Sequence, residues 1–273
     1  MFAGTGVEVV IAKVTGVDVG RRTVTVAGAN GTAELTYDTL VYALGSGWNA
    51  QGVPGAAEHA YEIAGRAGAL RLRERLSRLT EGQAVVVVGG GLTGIEAAAE
   101  IAEARPDLDV ALAARDGLGD RLSPVDGTGQ IVVDGTMRSV SHPDVYAIGD
   151  AAMVMGPGNK PLRMSCASGT PTAWQAADAI AARLTGGPLP NASIRYFNQC
   201  MSLGRKEGLI QYVTADDRAV RAVLTGRLAA VYKELICKSA AWGVANPTPG
   251  LPARRRPVTR QRGVAGPAVK EPA

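Results

Sequence analysis

The chain has 273 residues, of which 46% are apolar, enough for one large globular domain or two ordinary ones. Its 35 glycines and two phenylalanines favour an α/β protein with many tight turns and argue against an aromatic-rich β-sandwich. The formal net charge is +4, but residues 251–273 hold six Lys and Arg against one Glu, so the rest of the chain is slightly acidic.

Strands come first in the chain. Segments rich in β-branched residues alternate with turn formers, which predicts a three-segment meander and then a buried strand, at residues 7–17, 22–27, 33–38 and 39–44. Residues 56–79 place apolar side chains on one face at helical spacing, which predicts an amphipathic connecting helix.

A strand-turn-helix pattern follows. The apolar strand 84–88 leads into GGGLTG, a helix over 92–104 and a second strand over 109–113. Gly89 permits the tight turn, Gly91 lets the backbone approach a pyrophosphate, and Gly94 lets the helix pack closely on the strand. The sequence therefore predicts a dinucleotide-binding β-α-β unit.

The end of the second strand bears on the choice of dinucleotide. Ala114 and Arg115 stand where an acidic residue would hold the adenosine ribose of NAD. Arg115 favours a 2′-phosphate, while Asp116 next to it keeps NADH open, and a solvated surface arginine is the plainer alternative.

The second half of the chain predicts further short elements. Two short strands are expected in GQIVVDG and DVYAIGD, and a helix over 171–184 with Thr170 as N-cap and Pro171 at its first position. Two or three strands within 195–223 and a closing helix over 228–242 complete the pattern.

Two buried strands end in small or acidic residues. TLVYALGS ends in Gly45-Ser46, and DVYAIGD ends in Gly149-Asp150. A strand with such an end can deliver a carboxylate to a ligand at the carboxyl edge of a sheet.

Together with GGGLTGIE, these stretches resemble the FAD-dependent pyridine nucleotide oxidoreductases, and most closely the branch of the type II NADH dehydrogenases, over nearly all of residues 5–245. The resemblance implies an α/β, Rossmann-like two-dinucleotide-binding flavoprotein fold, here incomplete, with a β-meander and an α+β C-terminal segment. It implies FAD and NAD(P)H as cofactors and a quinone or similar small molecule as acceptor.

The resemblance also assigns residues to the flavin. It implies that Asp150 binds the ribityl chain, that Gly149 allows close approach, and that Gly45 lies beside the cofactor. Pro171 and Thr172 would stand at a helix amino end facing the pyrimidine edge, where the helix dipole stabilises a reduced, anionic flavin. Ordinary helix capping is the alternative for these two residues.

Two further features, one at Glu96 and one on the closing helix, allow both a functional and a structural interpretation. Glu96 matches a family glutamate suggested to deliver protons. The helix dipole also stabilises a negative charge near a helix start, so a glutamate is favourable there without any such role. A stripe on the closing helix would either lie on a membrane surface or pack in the core, and its members are Leu228, Val231, Leu235 and Trp242.

By this resemblance the chain lacks the family's amino-terminal GxGxxG turn and several strands of its middle, and we expect a truncated member. The expected organisation is a partial FAD-binding domain with the meander (1–50), a connecting helix with an incomplete NAD(P)-binding unit (51–118), a second FAD-binding part (119–187), a C-terminal α+β segment (188–250) and a basic disordered tail (251–273).

The three cysteines form no CxxC pair and no zinc spacing, so free buried thiols are expected at Cys166, Cys200 and Cys237. This argues against a disulfide reductase. No apolar run reaches the roughly 18 residues of a membrane span and the start shows no secretory pattern, which favours the cytoplasm, with a peripheral position on the inner membrane face left open.

Two classes of function follow. The first is an FAD-dependent NAD(P)H dehydrogenase of the quinone reductase type, without a specific nucleic-acid partner and with an oligomer allowed. The second is a catalytically inactive remnant or a nucleotide-binding module. The exposed strand edges of a single β-α-β unit favour this second class.

Overall fold

A computed structural model describes residues 6–29, 31–48, 54–113 and 130–246 of the chain. The twelve strands in these ranges are β1 Lys13–Asp18, β2 Thr23–Gly28, β3 Gly31–Thr36, β4 Leu40–Tyr42, β5 Ala84–Val88, β6 Asp109–Ala113, β7 Ile131–Val132, β8 Val145–Ala147, β9 Ala152–Met153, β10 Asn198–Ser202, β11 Gly208–Val213 and β12 Ala219–Thr225. The five α-helices are α1 Ala56–His59, α2 Arg66–Ser77, α3 Leu92–Ala104, α4 Cys166–Thr185 and α5 Gly226–Ala245.

The predicted meander forms an antiparallel sheet in the order β1-β2-β3. Its first strand is shorter than predicted, because it begins at Lys13, which pairs with Ala27 near the end of β2. Just before Lys13, Ile11 and Ala12 still lie beside Gly28 at the end of β2, and Ile11 is 88% exposed.

The predicted connecting helix over 56–79 is wrong as a single element, since α1 and α2 are separated by residues 60–65. The side chain of Glu62 explains the break. It accepts a hydrogen bond from the Gly65 N–H at 2.9 Å and lies against Gly68, where a Cβ would stand 2.0 Å from its Oε1. The second helix therefore begins anew after Gly65, which is its N-cap.

The predicted β-α-β unit is confirmed: β5 and β6 pair in parallel from Ala84–Asp109 to Val88–Ala113, and α3 packs against both strands. Alternate residues of a strand point to opposite faces. In β5 one face is half-buried and the other is open, with Val86 59% and Val88 83% exposed.

The core lies between α4 and two small parallel sheets, β4-β8 and β7-β9. The pairing of β4 with β8 joins the two predicted strands that end in Gly45-Ser46 and Gly149-Asp150. The buried cluster consists of Val133, Met137, Tyr146, Ala147, Ala152, Val154, Ala176, Ala179 and Ile194.

The predicted start of α4 at Pro171 is wrong, because the helix begins at Cys166 with Ser165 as N-cap. The carbonyl of Ser165 accepts hydrogen bonds from the N–H groups of Ser168 (3.2 Å) and Gly169 (2.9 Å), so a turn forms ahead of the proline. Pro171 consequently lies inside the helix rather than at its first position.

The C-terminal α+β segment is confirmed as an antiparallel sheet, β10-β11-β12, covered by α5. The two approach closely at Gly208, where a Cβ would stand 2.6 Å from the backbone nitrogen of Ala230. The strand β10 also packs against α3, which links this segment to the β-α-β unit.

Candidate dinucleotide and flavin sites

The turn after β5 has the geometry that its glycines predict. Gly89 has φ +127°, a conformation that favours glycine, and its N–H donates to the Ala113 carbonyl at 2.9 Å, which fixes the turn against β6. A Cβ on Gly94 would stand 1.9 Å from the Gly89 carbonyl oxygen. Only glycine at 94 therefore allows α3 to start this close to the strand.

Gly91 differs from Gly94 in its surroundings. It is the N-cap of α3, and a Cβ added there would have no atom of the described residues within 4 Å. Among the described residues, the space beside Gly91 is thus open at the start of α3, and a helix amino end is where backbone amides can bind phosphate. The residues predicted to choose between NADH and NADPH, Ala114, Arg115 and Asp116, lie outside the described residues.

A second group of candidate residues meets where β4 and β8 end. Asp150 is half-buried, and its Oδ2 accepts hydrogen bonds from the Ser46 hydroxyl at 2.7 Å and the Ser46 N–H at 3.2 Å. Residues 104 positions apart in the chain are thereby joined. Gly45 lies next to Ser46, and a Cβ on it would meet no atom within 4 Å in the part of the chain that the structure describes.

Gly149 is held from the other side by α4. It has φ +59°, and its N–H donates to the hydroxyl of Thr172 at 3.0 Å. Its Cα lies close to Gly169, so the first turn of α4 approaches this strand end through two glycines. The helix amino end thus lies beside Gly149-Asp150, but the residues there are Ser168 and Gly169.

Thr172 has a structural task in this arrangement. It is 1% exposed, and its hydroxyl lies 2.9 Å from the Ser168 carbonyl and 2.8 Å from the Gly169 carbonyl. Flavin contact by Pro171 and Thr172 stays a prediction. Because Thr172 is buried, it acts on the end of β8 by accepting the hydrogen bond from the Gly149 N–H.

Sequence reasoning missed Gln130 and Ser46. The Gln130 side chain donates to the carbonyls of Asp150 (2.9 Å) and Ala152 (3.2 Å) and so fixes the backbone around the carboxylate. A cleft of about 280 Å³ adjoins Ser46 and is lined also by Gly47, Trp48, Glu62, Ala64, Gly65 and Arg71. The GS that ends TLVYALGS was a signal for Ser46, whereas nothing around Gln130 marks it.

Glu96 joins α3 to the C-terminal segment. Its Oε1 accepts hydrogen bonds from the Lys233 ammonium at 2.8 Å and the Ser202 N–H at 2.9 Å. Lys233 also donates to the Cys200 carbonyl at 3.1 Å. Burial lowers the pKa of Lys233, but the hydrogen bond and charge of Glu96 outweigh it and raise that pKa above its usual value. Proton delivery by Glu96 stays a prediction beside this structural role.

The cysteines are free, as predicted. Cys200 is half-buried, whereas Cys166 and Cys237 are exposed. The expectation of three buried thiols is therefore wrong for two of them. Cys166 begins α4 and Cys237 lies on α5, and helix ends and outer helix faces leave such side chains in solvent.

Comparisons with known proteins find similarity over part of the chain. Residues 3–121 match the family model described as pyridine nucleotide-disulphide oxidoreductase. An NADH dehydrogenase-like protein of Mycobacterium tuberculosis is 43% identical over 103 residues, which cover 35% of this chain and 25% of that protein. A NADH dehydrogenase-like protein of Bacillus subtilis, YutJ, is 35% identical over 78 residues, 29% of this chain and 22% of YutJ. Over this part of its length the chain is similar to the pyridine nucleotide-disulphide oxidoreductases.

Solved structures show the same fold over more of the chain. NDH2 from Plasmodium falciparum, solved in complex with NADH, superposes with a TM-score of 0.64 at 12% identity, covering 84% of this chain and 79% of that one. The sulfide:quinone oxidoreductase of Aquifex aeolicus superposes with a TM-score of 0.61 at 14% identity, covering 86% and 75%. The predicted resemblance and the incomplete Rossmann-like α/β fold are confirmed. The matches to the two curated relatives span about a quarter of their length.

Proposed function

We propose that the chain is an FAD-dependent NAD(P)H oxidoreductase that passes hydride from NAD(P)H through the flavin to a quinone or similar small acceptor. The observation that carries the proposal is the open turn from Gly89 to Gly94, whose tight approach to β5 requires glycine at 94 and leaves Gly91 free for a ligand. The related NADH dehydrogenase-like proteins support the nicotinamide cofactor.

The residues at the ends of β4 and β8 fit a flavin. Gly45 leaves room beside the strand end, and the Oδ1 atom of Asp150 accepts no hydrogen bond from any residue in the described ranges, so it can accept one from a ribityl hydroxyl. The bound flavin would supply the electron chemistry. The chain's own residues would position the flavin. Asp150 supplies the carboxylate, and the side chains of Gln130 and Thr172 fix the backbone at Asp150 and Gly149.

The adjacent amino end of α4 complements this position. Its first turn, with Ser168 and Gly169, directs the positive end of a helix dipole toward the neighbourhood of Gly149. Such an end stabilises negative charge by about 0.3–1 kcal/mol at an exposed site. It would therefore favour an anionic reduced cofactor over the neutral oxidised one.

Purified protein tests the proposal directly. We expect it to retain flavin or to bind added FAD, shown by visible absorption, and we expect NADPH or NADH to bleach that absorption. Parallel titrations with NADH and NADPH measure which nucleotide binds more tightly. We propose that Arg115 favours NADPH, because it can bind the 2′-phosphate. A colourless protein that binds neither FAD nor NAD(P)H would contradict the proposal and favour a catalytically inactive remnant, whereas binding of NAD(P)H alone would favour a nucleotide-binding module.

We also propose that α5 rests on a membrane surface. Its predicted apolar stripe lies in solvent rather than in the core, with Leu228 71%, Leu235 60% and Trp242 56% exposed. Among the described residues, every helix is too short or too polar to cross a bilayer. An amphipathic helix with an exposed apolar face binds in the interfacial plane instead.

Flotation with anionic vesicles tests this contact. We expect the protein to float with the vesicles and the Leu235→Glu variant to stay in solution. Lys238→Glu, which alters charge beside the stripe, is the control for a purely electrostatic attraction. If Leu235→Glu floats as well as the unchanged protein, the stripe does not form the contact.

A further inference from the structure

The carboxylate of Asp150 is held on one of its two oxygens only. Both hydrogen bonds from Ser46, one from its hydroxyl and one from its N–H, reach Oδ2. Within the described part of the chain no donor reaches Oδ1. A carboxylate offers about four acceptor positions, so this arrangement fixes the orientation of the group and leaves one oxygen for a ligand.

The strand pairing explains why Ser46 is the residue that reaches Asp150. The parallel strands β4 and β8 pair from Leu40–Val145 to Tyr42–Ala147. Beyond the pairing, the first strand leads to Gly45-Ser46 and the second to Gly149-Asp150. Ser46 and Asp150 therefore meet at the carboxyl edge of the sheet, where ligands of open α/β sheets bind.

The remaining hydrogen bonds act on the backbone and not on the carboxylate. Gln130 binds the Asp150 carbonyl, and Thr172 binds the Gly149 N–H. These contacts fix the backbone from which the Asp150 side chain extends, but they do not restrict rotation about its side-chain bonds. Ser46 is the contact that restricts this rotation.

We propose that Ser46 is a positioning residue for FAD: its hydroxyl orients the Asp150 carboxylate so that Oδ1 faces the ribityl hydroxyls. This inference rests on the proposed function, because it presupposes that FAD binds at Asp150. Without Ser46 Oγ, the N–H at 3.2 Å is the one donor to Oδ2 that remains among the described residues. The carboxylate then gains rotational freedom that flavin binding must remove.

Fluorescence titration of the full chain with FAD tests the proposal. We expect Ser46→Ala to weaken FAD binding on the order of tenfold, as for loss of one hydrogen bond to a charged group. Ser46→Thr, which keeps the hydroxyl, should restore most of the affinity. The matched control is Ser77→Ala, since the Ser77 hydroxyl donates only to the Glu74 carbonyl within α2.

A double-mutant cycle separates positioning from a structural effect. If Ser46 acts through the carboxylate, Ser46→Ala should have no further effect on FAD affinity in an Asp150→Ala background. An equal loss in both backgrounds, accompanied by a lower melting temperature, would overturn the proposal. So would unchanged affinity of Ser46→Ala.

The same titration distinguishes this proposal from the proposed function. If the unchanged chain does not bind FAD, the proposed function fails and the role of Ser46 fails with it. If the unchanged chain binds FAD and Ser46→Ala binds it equally well, the proposed function stands and the role of Ser46 alone is overturned.

Discussion

Gly91 and Gly94 belong to one turn but face different constraints. The carbonyl of Gly89 fills the space beside Gly94, whereas no described residue places an atom within 4 Å of a Cβ on Gly91. The second glycine therefore serves the packing of the helix on the strand, while the first is the one proposed to let a ligand approach.

Alanine substitutions separate these two tasks. We expect Gly94→Ala to destabilise the protein by about 1–3 kcal/mol, because its Cβ would overlap the Gly89 carbonyl. Gly91→Ala should leave the melting temperature unchanged and weaken NAD(P)H binding. Thermal unfolding and nucleotide titration measure both effects, and a stable, tightly binding Gly94→Ala protein would contradict the packing argument.

The thiols also differ from residue to residue. Burial raises the pKa of the Cys200 thiol above its usual value of 9.0, although the charge of Lys233 opposes the shift. Because the thiolate is the nucleophile, we expect iodoacetamide to alkylate Cys200 more slowly than the exposed Cys166 and Cys237. Peptide mass spectrometry over time measures the three rates, with unfolded protein as the control in which the rates converge. Equal rates in the folded protein would show that Cys200 is not shielded.

At this scale the sequence predicted residues whose chemistry is local. Three of the four glycines of GGGLTG, namely Gly89, Gly91 and Gly94, are recognisable because their spacing reflects one turn and one helix start. The bond between Ser46 and Asp150 joins positions 104 apart, and it depends on the pairing of β4 with β8, which neither segment encodes alone.

Among the elements, α3 has two partners. Its start forms the candidate dinucleotide turn. Its outer face carries Glu96, Glu100 and Glu103, which bind the β10 end of the C-terminal segment and α5. Residues three and four apart share one face of a helix, so one row of carboxylates serves this contact. A change in the row would alter both the C-terminal segment and the candidate nucleotide site.

Two substitutions of Glu96 distinguish its structural role from proton delivery. Glu96→Ala leaves the half-buried Lys233 without its partner, and we expect a loss of about 1–3 kcal/mol in the free energy of unfolding. Glu96→Gln keeps an acceptor for Ser202 and Lys233 and should lose less. Urea unfolding measures both, and NAD(P)H oxidation measures activity.

The pH dependence of this pair has a definite sign. The folded-state pKa of Lys233 is raised, so its contribution is complete below the ordinary lysine value of 10.5 and disappears only as the pH rises through the raised pKa. The stability difference between Glu96→Ala and the unchanged protein should therefore persist at neutral pH. If Glu96→Gln is fully stable but loses turnover, proton delivery is supported; if it keeps turnover, the carboxylate is structural.

Element boundaries were less predictable than element types. The helix over 171–184 was placed at Pro171 because proline is common at a first helical position, but Ser165 and Ser168 build an earlier turn. The helix over 56–79 satisfied the apolar spacing throughout, yet the contacts of Glu62 with Gly65 and Gly68 interrupt it. In both cases side-chain contacts outside the periodic pattern set the boundary.

For the whole molecule, the unusual feature is how much apolar surface its small sheets leave open. The two-stranded β5-β6 sheet has α3 on one face, and Val86 and Val88 project from the other into solvent. Contiguous exposed apolar surface promotes association between molecules. The expectation of bare surfaces on a single β-α-β unit therefore holds for the described residues of this sheet.

Threonine substitutions on alternate positions of β5 test whether that face is open in solution. Val86→Thr with Val88→Thr should lower the binding of a hydrophobic dye and reduce concentration-dependent association in sedimentation, while the melting temperature stays unchanged, because these side chains are already exposed. Val87→Thr is the matched control, since Val87 is half-buried on the opposite face and its hydroxyl would lose water, at a cost of about 1–3 kcal/mol. If the double variant loses as much stability as Val87→Thr, the face of Val86 and Val88 is covered in the folded protein, and a further surface completes the sheet.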